Sequence, residues 1–187
     1  MGLLHLAVDP GLTGALCLFD PSIRTAVFWD TPTVTTKVGK KMKTQMDLHA
    51  IVRLLKEVTE GHEVFVTIEK VNAMPRFGGA DGGSSMGATS AFNFGYGFGM
   101  WLGILTALEL PFQQVHPATW KSKMMAGCSK EKDASRVKAM QMFPKTAGDL
   151  TRKKDHGRAD ALLIAAWAAT YSPQPSAAVE EKEETLF

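Results

Sequence analysis

Leu3-Leu4-His5-Leu6-Ala7-Val8-Asp9-Pro10-Gly11 opens the chain with an apolar run that stops at an acid and a turn. Such a run, closed by Pro and Gly, predicts a buried strand followed by a tight turn. Gly14–Phe19 and Thr25–Trp29 read as second and third strands, and the short turns between them predict an antiparallel meander. Leu48, Ile51, Val52, Leu54 and Leu55 recur at helical spacing, which predicts a helix from about Gln45 to Thr59. Val64–Ile68 is a further buried strand, ending at Glu69, and Phe112–Val115 is a short one. Met74–Ser85 is a glycine-rich loop, and the helix after it carries Gly95, Gly99 and Gly103 at intervals of four. Pro117 starts a helical piece. Ser129 has the character of an N-cap for a helix to about Phe143, and a last helix spans about Gly157–Thr170. This order predicts an α/β fold, a central mixed five-stranded sheet flanked by helices.

With 187 residues the chain can bury one substantial core, and residues 1–171 are read as a single domain. Past Tyr171 the composition turns to Pro, Ser, Ala and Glu, so 172–187 is read as a disordered acidic tail. Cys17 and Cys128 stand far apart and outside any C-x-x-C pair, which argues against a zinc site or a disulfide framework. Asp9 interrupts the first apolar run too early for a signal peptide, and no stretch is apolar enough to span a membrane. The formal net charge of +2 gives no bulk argument for nucleic acid. The distribution is more informative: basic clusters lie at Lys37–Lys43, Lys121–Lys132 and Arg152–Arg158, and the acidic tail offsets them.

Three carboxylates carry the chemical argument. Asp9 and Glu69 each close a predicted strand, and Asp160 sits in Ala159-Asp160-Ala161-Leu162-Leu163-Ile164-Ala165, with apolar residues on most sides. A carboxylate in that setting is costly unless it is paired or holds a metal. Strand ends of an α/β sheet are where sites gather. Acids converging there repel one another until a hard cation such as Mg²⁺ or Mn²⁺ neutralises them. Two such ions, roughly 3.5–4 Å apart, clamp the attacking water and the leaving oxygen of a phosphodiester.

A fourth ligand is expected from Lys154-Asp155-His156-Gly157-Arg158. His156, four residues before Asp160, shares its face if the helix reaches back that far. Asp155 points away in a continuous helix. Gly157 costs roughly 1 kcal/mol relative to Ala inside a helix, which favours a start near it and frees Asp155 to fold back toward Asp160. Asp155 is therefore placed ahead of His156, which is left to assist proton transfer.

Asp9-Pro-Gly-Leu-Thr-Gly-Ala resembles the opening motif of RuvC-type Holliday junction resolvases of the RNase H-like superfamily. Ile68-Glu69 resembles their second motif, and Asp155-His-Gly-Arg-Ala-Asp160-Ala-Leu resembles their C-terminal one. Val115-His-Pro-Ala-Thr-Trp-Lys121 is similar to the segment between, so the resemblance covers about Leu4–Tyr171. The spacing of Asp155 and Asp160 departs from bacterial RuvC, where the last two ligands stand three apart, and is more like the chloroplast and phage branches. The resemblance implies an RNase H-like fold and an endodeoxyribonuclease using Mg²⁺, with Mn²⁺ substituting. Asp9, Glu69, Asp155 and Asp160 would be its metal ligands and His156 a further catalytic residue. It also implies a homodimer that binds branched DNA, especially four-way junctions, and nicks two symmetric strands.

Candidate DNA contacts are Lys40, Lys41, Lys43, Arg76, Phe77, Lys121, Lys123, Lys130, Lys154 and Arg158. The glycine series at 95, 99 and 103 is read either as a dimer face or as a close approach to the chain's own sheet. Two alternatives stay open: a nuclease of the same fold acting on flaps, branched replication intermediates or RNA–DNA hybrids, and a non-catalytic DNA-binding module. The expected location is the cytoplasm of a bacterial or phage-infected cell, or an organelle matrix where a transit peptide precedes the chain.

Overall fold

A computed structural model describes residues 2–70, 87–129, 131 and 133–173. Arg76, Phe77, Lys130, the whole glycine-rich loop and the tail from residue 174 lie outside the described residues. Strands β1 (Leu4–Val8), β2 (Ala15–Asp20) and β3 (Thr25–Asp30) form the predicted antiparallel meander. Next come β4 (Thr33–Val38), β5 (Lys41–Met46) and helix α1 (Leu48–Thr59). Strand β6 (Val64–Glu69), helix α2 (Ala88–Ala107) and strand β7 (Phe112–Val115) follow. Helices α3 (Pro117–Met124), α4 (Ala134–Met142) and α5 (His156–Tyr171) complete the fold, with two 3-10 segments, Pro144–Leu150 and Lys153–Asp155, before α5.

The five-stranded sheet has the order β3-β2-β1-β6-β7. Both β1–β6 and β6–β7 are parallel, so the sheet is mixed as expected. Alternation along the strands feeds two cores. Leu6, Val8, Leu16, Val66 and Ile68 pack with Ile51 and Leu55 of α1 and with Trp101 and Leu105 of α2. On the opposite face Ala7, Cys17, Phe19 and Val115 pack with α3, α4 and a nearly all-buried α5. Ser172, just past α5, donates its hydroxyl to Gln113 Oε1 at 2.8 Å. Gln113 in turn donates to Thr67 Oγ1 at 3.0 Å, tying the end of α5 to β6 and β7.

Three expectations need correction. Residues before Leu48 are not helical: β4 and β5 pair as a separate two-stranded ribbon, and Asp47 caps α1 by accepting from the Ala50 N–H at 2.9 Å. Ser129 does not cap α4, whose first residue is Ala134; the Ser129 hydroxyl instead accepts from the Glu131 N–H. Helix α5 begins at His156, one residue before the expected start, so Gly157 lies inside its first turn.

Candidate active site

The parallel register of β1 and β6 decides where the first two acids stand. Ala7 lies opposite Thr67 and Val8 opposite Ile68, so Asp9 and Glu69 continue the same alternation at the same end of the sheet. Both follow the face of Ala7, which is the face packed by α5. The Asp9 N–H donates to Ala15 O at 2.9 Å, and the turn closes with Gly14 N–H on Gly11 O at 3.0 Å. A Cβ on Gly14 would stand 2.1 Å from the Asp9 carbonyl oxygen, a distance no side chain tolerates. The first turn of α5 rests on this loop: a Cβ on Gly157 would lie 2.8 Å from Thr13 O and 3.0 Å from Gly14 Cα. Gly157 is thus required for close approach, which is why its poor helix propensity does not end the helix. The contact sets Asp160, one turn further along α5, over the acids of the strands.

The three carboxylates lie close enough to act on one another electrostatically. Burial, then the charges of Asp160 and Glu69, push the Asp9 carboxyl up to about 7. Burial likewise raises Glu69; the hydrogen bond from Trp120 Nε1, 2.8 Å from Glu69 Oε1, and the Lys121 charge oppose the rise. Burial raises Asp160, against a Ser135 hydrogen bond and the Lys121 and His156 charges. Asp160 Oδ1 is buried without a hydrogen-bond partner. The donor set of hard oxygens with one orphan suits a hard divalent cation. Among the described residues, however, no three His, Cys, Asp or Glu side chains close tightly enough to form a ready-made cage.

Asp155 is held by Arg152. Its buried carboxylate accepts from the Arg152 backbone N–H at 2.7 Å and from the guanidinium at 2.7 and 2.9 Å. Burial pushes this carboxyl up, but the Arg152 hydrogen bonds outweigh it and hold it below the usual range. Asp155 therefore braces the 3-10 turn that feeds α5. His156, the first residue of α5, exerts its charge on both Asp9 and Asp160. Its Nδ1 lies 3.3 Å from the Lys153 carbonyl, within reach of a hydrogen bond donated by the ring.

The basic residues divide. Lys40, Lys41 and Lys43 are exposed on the β4–β5 ribbon. Lys121 lies over the Trp120 ring, 5.0 Å from its centroid, close enough to act on Glu69 and Asp160. Lys123 lies 5.9 Å over Tyr171, and Lys154 is exposed. Arg158 is paired with Asp30 at 2.6 Å. Sequence reasoning passed over Trp120 as an orienting residue, although its place one residue before Lys121 in the quoted motif was a usable signal. It also gave little weight to Phe92 and Tyr96, which are exposed and stacked at 6.1 Å on α2. Among the described residues, added Cβ atoms at Gly95, Gly99 and Gly103 would meet nothing within 4 Å, so packing on the chain's own sheet does not explain these glycines.

No family model matches the chain. Over 82 residues, 44% of its length, it is 42% identical to the chloroplastic Holliday junction resolvase MOC1 of Chlamydomonas reinhardtii. The match spans only 9% of that protein. In structure it is similar to T. thermophilus RuvC, solved in complex with a Holliday junction substrate. That likeness has a TM-score of 0.53 at 14% identity and covers 90% of this chain and 97% of the other. The chain therefore shares the fold of that RuvC structure, with its acids at one end of a mixed five-stranded sheet.

Proposed function

We propose that this protein is a divalent-metal-dependent endodeoxyribonuclease that resolves four-way DNA junctions by paired symmetric nicks. One observation carries the reading: at one sheet end the charges of Glu69 and Asp160 push the Asp9 carboxyl up, the Asp160 charge pushes Glu69 up, and Asp160 Oδ1 lies buried and unpartnered. Such an arrangement is costly in isolation and is relieved by a cation. Asp9, Glu69 and Asp160 would hold Mg²⁺, or Mn²⁺ in its place, with His156 as the fourth group of the site, a base beside the ions. When bound, such ions activate water and neutralise the leaving oxygen. Trp120 holds Glu69 in place, Lys121 offsets the site's negative charge, and His156 is placed to act as a general base.

Two symmetric nicks need two sites, so the active species is a homodimer. The outer face of α2, with the Phe92–Tyr96 stack beside Gly95, Gly99 and Gly103, is the candidate contact face. Among the described residues no helix is long and apolar enough to cross a membrane. The compartment is one that holds recombining DNA: the cytoplasm of a bacterial or phage-infected cell, or an organelle matrix.

The test offers end-labelled synthetic four-way junction, flap and RNA–DNA hybrid to the purified chain with Mg²⁺. Paired nicks at symmetric positions of the junction, with slower cutting of the others, are expected. Equal cutting of the hybrid, or no cutting at all, overturns the reading.

A further inference from the structure

The β4–β5 ribbon has no role in the site described above. It is exposed along nearly its whole length, and its cross-strand register is regular from Thr33–Met46 to Val38–Lys41. A Thr35–Thr44 hydroxyl contact of 3.0 Å stiffens it, and Gly39, with φ of 63°, makes the tight turn with Lys40. A two-stranded ribbon on its own is marginal in water, so an arm of this kind is retained for what it touches. Its chemistry is one-sided. Between Thr31 and Met46 the chain has Lys37, Lys40, Lys41 and Lys43 and no Asp or Glu, in a protein whose net charge is only +2. Lysines also discourage edge-to-edge strand pairing, but that purpose needs no projecting arm.

The root of the ribbon fixes where it stands. Thr31 is buried, and its N–H donates to Gly14 O at 3.0 Å, in the loop that packs on Asp9 and Gly157. Asp30, just before it, holds Arg158 of the first turn of α5. At the other end the Asp47 N–H donates to Pro32 O at 2.9 Å, closing the base. The root of the arm is therefore hydrogen-bonded to the loop that follows Asp9. Met46 turns toward Gly97 of α2, which leaves the alternate positions, Lys41 and Lys43 with Val38, on the other face. Six residues per strand reach roughly 20 Å, and the major groove of B-DNA admits a two-stranded ribbon.

We propose that the β4–β5 ribbon is a duplex-binding arm that lies in the major groove of a DNA arm next to the cut strand, its lysines on the flanking phosphates. The inference rests on the nuclease reading and adds to it a binding element separable from the chemistry. Lys40 at the turn and Lys41 and Lys43 on the strand make the phosphate contacts, and Val38, on the same face near the tip, meets the groove floor.

The experiment compares wild type, a variant with all four lysines (37, 40, 41 and 43) changed to Ala, the same four changed to Arg, and Lys40→Glu alone. Each is titrated against four-way junctions with long arms and with arms too short to reach the ribbon, over a range of salt. Thermal melting checks each fold. The alanine variant should bind the long-armed junction about 10- to 1000-fold more weakly, with the salt slope reduced by about 0.9 per lost phosphate contact. The arginine variant should recover most of this, Lys40→Glu should weaken binding with the strands unaltered, and short-armed junctions should show little difference. Glucosylated cytosines in the arm, which fill the major groove, should reduce wild-type binding toward the alanine level. Wild-type affinity and salt slope in the alanine variant overturn the arm, and intact nicking would then leave the nuclease reading standing. Equal weakening on short and long arms also overturns it. A wild-type chain that binds long-armed junctions normally but cuts none of them removes the nuclease reading, while the affinities still decide the arm.

Discussion

A Cβ on Gly157 would stand 2.8 Å from the carbonyl oxygen of Thr13, so α5 and the loop after β1 touch backbone to backbone. Through this contact the helix bearing Asp160 is seated on the loop bearing Asp9. Gly157→Ala must push the two apart, and overpacking of this kind costs about 1–3 kcal/mol. The expected result is a lowered melting temperature with a larger loss of nicking, about 100-fold, because the acids separate. Wild-type nicking in Gly157→Ala, with the melting temperature unchanged, would show that the loop yields freely.

Asp9→Asn tests the carboxylate cluster. Nicking should disappear while junction binding is kept or tightened, since a negative charge facing phosphate is removed. The metal-free protein should also respond to pH. Asp9 is raised from 3.8 to about 7 in the folded chain, so the folded state binds the extra proton between those values. Stability should therefore fall as pH rises from about 4 to about 7, by an amount on the order of 1–4 kcal/mol. Mg²⁺ should restore stability above that window, and Asp9→Asn should flatten the dependence. Urea melts at several pH values, with and without Mg²⁺, measure all three.

Trp120→Phe keeps most of the buried ring but removes the hydrogen bond on Glu69 Oε1. That bond lowers the Glu69 pKa, so its loss should raise it. The acid limb of the pH–rate profile should move to higher pH, with nicking recovering toward alkaline conditions. Leaving a buried acceptor unpaired should also cost about 1–3 kcal/mol of stability. A profile superimposable on wild type would mean that Trp120 only packs.

The two residues before Gly157 should now separate clearly. His156→Ala should lose at least about 100-fold in nicking near neutral pH, as expected for loss of a general base, with near-normal stability. Asp155→Asn should lower the melting temperature by weakening the Arg152 brace and retain more activity than His156→Ala. Rates and melting curves for both variants decide the assignment. Inactive Asp155→Asn with normal stability would return the fourth position to Asp155.

The sequence by itself determined the sheet, most of the helices and the three central acids. Strands β1, β2, β3, β6 and β7 are legible because each buries a periodic apolar face, and Asp9 and Glu69 because each interrupts such a run at its end. Asp160 is legible because a lone acid among Ala, Leu and Ile cannot be bland. All of these are local signals, carried within a few residues. Tertiary structure decided the rest. The β4–β5 ribbon has no buried face, so its lysines and threonines leave no apolar period to read. The Trp120–Glu69 bond joins residues 51 apart, and nothing in either neighbourhood names the other. The choice between Asp155 and His156 turned on Gly157, whose helix propensity argued for a break. Only the loop of Thr13 and Gly14, brought against it by folding, shows that the glycine is there because no side chain fits.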